Sequence, residues 1–255
     1  MNIYDLSLLK KKLFSKKRPS NDDKSKNILI NQDKFAVVES YKQARTNLMF
    51  SISAKDAKAV VFTSENKSEG KSTSITNMAI SMSKMGKKVL LIDADLRKPN
   101  IHNLLKLKNE HGLSEVLGRF KTVDEVLIHS ALPNLDVLTA GSIPPNPSEL
   151  LASNQMKKVL KNFEVEYDFI LIDSPPVGMV TDATMLKDEI AGYVLVVREQ
   201  STTHNDIDKT LSILKLADSN VLGFLKVGCS QKDRKYYKKY GYKRKYGYYN
   251  YNYNY

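Results

Sequence analysis

Six short, largely apolar runs set the first constraint on this chain: Ala59 to Thr63, Val89 to Ile92, Leu135 to Thr139, Phe169 to Ile172, Tyr193 to Val197 and Val221 to Val227. Each has the length of a strand, and apart from Asp136 in the third and Lys226 in the sixth they are apolar at successive positions instead of alternating, which is the pattern of strands buried on both faces. Helical stretches fill the gaps, the clearest over Ser72 to Met85, Ser148 to Phe163 and His204 to Leu216. Val37, Val38, Tyr41, Ala44, Leu48 and Met49 recur at helical spacing, so a further helix precedes the first strand. Strands alternating with helices predict an α/β fold with a mostly parallel sheet and helices on both faces. Ligands of such sheets bind at the carboxyl ends of the strands.

Those ends carry the chemistry. The first run leads into Ser64-Glu65-Asn66-Lys67-Ser68-Glu69-Gly70-Lys71-Ser72-Thr73 and then a helix, the strand, loop and helix context of a P-loop. Glu69, Gly70, Lys71, Ser72 and Thr73 are the candidate nucleotide contacts. Gly70 lets the backbone close on phosphate oxygens, Lys71 can reach the β and γ phosphates, and the Ser72 hydroxyl can ligate Mg²⁺. Glu65 stands where the consensus has its first glycine. The second run ends in Asp93-Ala94-Asp95, whose carboxylates point the same way from a strand. The fourth ends in Asp173, suited to a Walker B carboxylate. Either aspartate motif alone would read equally well as a turn or cap; three in this order point to ATP with Mg²⁺.

The net charge is confined to the ends. The net charge of the 255-residue chain is +12. Residues 1 to 26 hold eight Lys and Arg against three Asp, and residues 231 to 255 hold eight against one. The body between is neutral, which argues against a groove-reading nucleic-acid domain and leaves two basic tails for anionic surfaces or for solubility. One cysteine, Cys229, excludes an intrachain disulfide, and the apolar runs are too short to span a bilayer. The expectation is a cytoplasmic protein. The reading by segments is a flexible basic arm over 1–33, a P-loop domain over 34–230 and a disordered tail over 231–255. That tail holds ten of the fourteen tyrosines: Tyr236, Tyr237, Tyr240, Tyr242, Tyr246, Tyr248, Tyr249, Tyr251, Tyr253 and Tyr255. A basic aromatic tail could also stack on single-stranded nucleic acid, but that leaves the three site motifs unexplained.

The run Val89 to Arg97, extended by Lys98 and Pro99, resembles the Walker A′ box of the bacterial tyrosine kinases (BY-kinases) of capsule and exopolysaccharide production. Ile143-Pro144-Pro145-Asn146-Pro147-Ser148-Glu149-Leu150-Leu151 and the tyrosine cluster match that family too. The resemblance, over about Gln32 to Tyr255, implies transfer of the ATP γ phosphate to the chain's own tail tyrosines. In that reading Lys71 and Ser72 act on phosphate and Mg²⁺, Asp93 is the base, and Asp95 and Asp173 surround the metal. It also implies a membrane-anchored activator of the polysaccharide co-polymerase type, which would recruit the chain to the inner face of the membrane. A ring-like oligomer would form through Glu39, Lys42 and Arg45, the counterpart of the family's ExxRxxR; the first two would equally make a plain surface ion pair. The chain departs from the family at Ser68, commonly glycine, at Lys42, commonly arginine, and at Lys226, commonly an asparagine near the adenine. Two other functions compete: a MinD/ParA-type ATPase, whose signature lysine aligns with Asn66, and a non-enzymatic nucleotide-binding regulator of polysaccharide export.

Overall fold

The computed structural model describes residues 28–30, 35–52 and 57–228. The tail with its ten tyrosines and nearly all of the basic arm lie outside the described residues.

In chain order the elements are α1 (Phe35–Ile52), β1 (Ala59–Thr63), α2 (Lys71–Ser83), β2 (Val89–Asp93), α3 (Ile101–Leu105), α4 (Leu113–Leu117), α5 (Val123–Val126), β3 (Ile128–His129) and β4 (Leu135–Leu138). Then come α6 (Pro147–Leu151), α7 (Asn154–Glu166), β5 (Phe169–Asp173), a 3-10 helix (Thr181–Glu189), β6 (Gly192–Arg198), α8 (His204–Leu216) and β7 (Val221–Val227). The sheet order is β3-β4-β2-β5-β1-β6-β7. Every pairing is parallel except that of the two-residue edge strand β3 with β4.

Successive strand residues feed two separate cores, because side chains alternate between the faces of a sheet. Ala59, Val61, Leu90 and Ile92 pack on the face covered by α7, α8 and the 3-10 helix. Val60, Phe62, Val89 and Leu91 pack on the face covered by α1 and α2. Burial on both faces is why β1 and β2 are apolar up to their last residues, Thr63 and Asp93. The helix α2 is itself almost wholly buried, including Ser74, Thr76, Asn77 and Ser81. Asn77 accepts a hydrogen bond from the Leu29 backbone at 2.8 Å, and Ile28 and Leu29 are buried beside it.

The helix expected over Ser148 to Phe163 is two helices. Ser153 adopts an extended conformation (φ −70°, ψ 152°) and its hydroxyl caps α7 by accepting the Met156 N–H. A serine that satisfies a helix start from its side chain competes with continued helix. The short α3, α4, α5 and the 3-10 helix also lie in the gaps between strands; each is too short or too tightly wound for a 3.6-residue pattern to mark its bounds.

Strand register sets the site. Asp93 of β2 is level with Asp173 of β5, and Asp173 is level with Phe62 of β1, one residue before the P-loop strand ends. Three central strands thereby deliver the P-loop and two carboxylates to one edge of the sheet.

Candidate nucleotide and phosphoryl-transfer site

Gly70 carries the turn into α2 with φ 92° and ψ 14°, the left-handed region that glycine enters without cost. No side chain caps the start of α2, so its first N–H groups and its positive dipole end are left for an anion. Ser72 and Thr73 on this first turn are partly exposed, whereas Lys71 is buried.

Ser68 also sits in the left-handed region, at φ 64°. That conformation strains a non-glycine residue by about 1 kcal/mol. The loop is braced from outside. Glu69, 1% exposed, accepts from the Thr202 hydroxyl at 2.5 Å and from the Asn66 backbone at 3.1 Å. Glu65 accepts from the Thr210 hydroxyl at 2.5 Å. Arg198 Nη1 reaches the Ser68 carbonyl at 3.5 Å. With its carboxylate so engaged, Glu69 has only its backbone to offer a ligand.

Lys71 Nζ lies 2.5 Å from Asp173 Oδ1 and 3.9 Å from Asp95 Oδ2. Asp173 is fully buried and its Oδ2 has no hydrogen-bond partner. Asp93 is fully buried as well. Its Oδ2 accepts the Asn100 and Ile101 N–H groups at 3.0 Å each, and its Oδ1 accepts the Asp95 N–H at 3.3 Å. Burial, and then the negative charge of Asp173, push the Asp93 carboxyl up from 3.8 to about 7. Burial is also the main reason that Asp95 is raised, against the opposing pull of Lys71. Lys71, Asp93, Asp95 and Asp173 are thus one cluster, with Ser72 and Thr73 on the adjoining helical turn.

The other expected residues lie elsewhere. Glu39 and Lys42 on α1 form an exposed ion pair at 2.7 Å. Arg45 Nη1 donates to the Ser81 carbonyl at 2.6 Å, ten residues along α2 from Lys71 and therefore about 15 Å from the phosphate-binding end. Lys226 pairs with Glu199 at 2.7 Å. Thr202, Thr210, Arg198 and Asp182 contribute to the site region without having been foreseen; only Ser148, inside the Ile143 to Leu151 segment, lay in a stretch already singled out.

Among the described residues no group of three His, Cys, Asp or Glu side chains could hold a metal by itself. The residues nevertheless fit Mg²⁺, an ion usually held by one or two carboxylates together with water and phosphate oxygens. The unpartnered, buried Asp173 Oδ2 and the hydroxyl of partly exposed Ser72 would supply such partial coordination.

Residues 57–220 match the AAA domain family. The chain is 39% identical over 201 residues to tyrosine-protein kinase YwqD of Bacillus subtilis (strain 168), covering 79% of this chain and 85% of that protein. It superposes on the kinase domain of Escherichia coli tyrosine kinase Etk with a TM-score of 0.76 and 29% identity, covering 97% of this chain and 91% of the other. It also resembles the septum site-determining protein MinD of Pyrococcus horikoshii in complex with Mg-ADP, at TM-score 0.57 and 25% identity over 69% of this chain and 72% of that one. The sheet is accordingly that of a P-loop NTPase, and by identity across most of its length the chain belongs to the bacterial tyrosine-protein kinases.

Proposed function

We propose that this kinase transfers the γ phosphate of ATP to tyrosines of its own terminal cluster, Tyr236 to Tyr255, in the control of capsule or exopolysaccharide synthesis. The observation that carries the reading is the Lys71, Asp93, Asp95 and Asp173 cluster, built at the end of a glycine-turned helix start. Lys71 leaves Asp173 for the β and γ phosphates, and the first N–H groups of α2 hold the β phosphate. Ser72, Asp95 and Asp173 would hold Mg²⁺, which when bound would neutralise phosphate charge. Asp93 takes the tyrosine hydroxyl proton. The phenolic oxygen then bonds to the γ phosphorus as the bond to the β-phosphate oxygen breaks, releasing ADP. A carboxyl group held up to about 7 is matched to such proton transfer near neutral pH.

No described helix is long and apolar enough to cross a membrane. In our reading a membrane-anchored activator of the polysaccharide co-polymerase type recruits the kinase to the inner face of the membrane. Self-association into a ring uses Glu39, Lys42 and Arg45 on α1, with tails presented to neighbouring sites at high effective concentration.

Lys71→Met tests the reading. The variant should keep its fold and lose tail phosphotyrosine on immunoblot; persisting phosphotyrosine would sink the assignment of Lys71 and with it the site.

A further inference from the structure

Arg97 lies two residues beyond Asp95, in the turn after β2, yet its guanidinium is committed elsewhere. Nε donates to Asp182 Oδ2 at 2.7 Å and Nη2 donates to Asp182 Oδ1 at 3.1 Å. Asp182 is 1% exposed on the first turn of the 3-10 helix that follows β5. Ser148, at the start of α6, completes the group: its hydroxyl donates to Asp182 Oδ1 at 2.6 Å and accepts from Arg97 Nη2 at 3.2 Å. A two-pronged guanidinium and carboxylate contact fixes orientation as well as position.

The Arg97 charge is acted on by two carboxylates, Asp182, which binds it, and Asp95. Asp95 Oδ1 accepts the Lys98 N–H at 3.0 Å, and its Oδ2 stands 3.9 Å from Lys71. A guanidinium released from Asp182 therefore has a carboxylate ready two residues away, and an arginine seated on Asp95 would compete with a divalent cation for the same oxygens.

We propose that Asp182, assisted by Ser148, is a positioning residue that holds Arg97 off Asp95 and so keeps Asp95 open to the divalent cation of the bound nucleotide. The proposal rests on the metal role of Asp95 given above. It accounts for the segment Ile143 to Leu151, whose contact with the site region is Ser148. It also separates two uses of one ion pair, since tying three segments together and sequestering a cation fail differently when both partners are removed.

The measurement is ADP affinity by calorimetry across a Mg²⁺ titration and in EDTA. Asp182→Asn should raise the Mg²⁺ concentration needed for half-maximal enhancement by about tenfold, the order expected when an opposing charge is brought onto a ligand. Affinity in EDTA should not change. Asp182→Asn combined with Arg97→Gln should return the Mg²⁺ requirement close to wild type, because the competing cation is gone. Ser148→Ala should shift it in the same direction by a smaller factor, and stands in if Asp182→Asn does not fold. An unchanged Mg²⁺ requirement in the single variants, or a double variant as impaired as Asp182→Asn, overturns the proposal and leaves a purely structural clamp. Wild-type ADP binding that ignores Mg²⁺ overturns it as well. Tyrosine transfer is not the readout, so a protein that binds Mg-ADP yet never labels its tail would defeat the proposed function while leaving this comparison decisive.

Discussion

Gly178 leaves the space that the Glu65 carboxylate occupies: a Cβ built on Gly178 would collide with that carboxylate. The glycine missing from the start of the P-loop is in effect found across the site, in the turn after β5. Gly178→Ala should push Glu65 off Thr210 and lower stability by about 1 kcal/mol, the net worth of that hydrogen bond, because the group that must yield is the end of a flexible side chain. Thermal melting would register the loss. Glu65→Gly added to it should recover much of the loss, and a double variant no better than Gly178→Ala would show that the collision is not the cause.

Ser68→Gly should relieve the left-handed strain at φ 64°. The gain is about 1 kcal/mol in the folded loop, partly offset by the greater freedom of glycine in the unfolded chain. Thermal melting should register the net gain, and because the strain is already present in the ligand-free loop, ADP affinity should change little. A lower melting temperature would mean that the serine side chain contributes more than its backbone costs.

Thr202→Val and Thr210→Val each remove the donor to a P-loop carboxylate while keeping side-chain shape. A buried acceptor left without its donor costs about 1–3 kcal/mol, so both variants should unfold at lower denaturant and bind ADP more weakly. Thr202→Ser and Thr210→Ser retain the hydroxyl and should behave nearly as wild type. Equal losses for the valine and serine variants would trace the effect to packing instead.

The nucleotide-free protein should lose stability as pH rises toward neutrality. Asp93 ionises at 3.8 when unperturbed and at about 7 in the folded chain, through burial first and Asp173 second. The folded state therefore binds the proton more tightly. Its contribution is fully present below the unfolded value and is lost as pH climbs through about 7. Asp95, also raised, adds in the same direction, while the neighbouring Lys71 opposes both. Denaturant unfolding from about pH 4 to pH 8 should show this decline in the wild type and a flatter profile in Asp93→Asn; parallel profiles would remove Asp93 as the source.

The buried strands were legible because a strand covered on both faces has no polar positions to blur it, as at Val89 to Ile92. Gly70, Lys71, Asp93 and Asp173 could be singled out as a candidate set because each stands at a strand or helix end, where sequence position translates directly into place. The bracing of the site could not be read in this way. Thr202 meets Glu69 across 133 residues, and Arg97 meets Asp182 across 85. Threonine, arginine and aspartate are ordinary loop residues until the fold brings them together. Ser153 misled for a related reason: its neighbours keep helical spacing on both sides of the break, and only the capping hydroxyl marks the interruption.

Lys71, held against Asp173, gives the site its own counterion. A phosphate that draws Lys71 away strips buried carboxylate of its cation, while a divalent ion arriving alone finds the position already balanced by Lys71. Under the proposed function, each partner would then remove the obstacle to the other. A site so arranged would act as a coincidence gate, favouring the metal-nucleotide pair over either alone, a preference argued from one 2.5 Å contact and the burial around it.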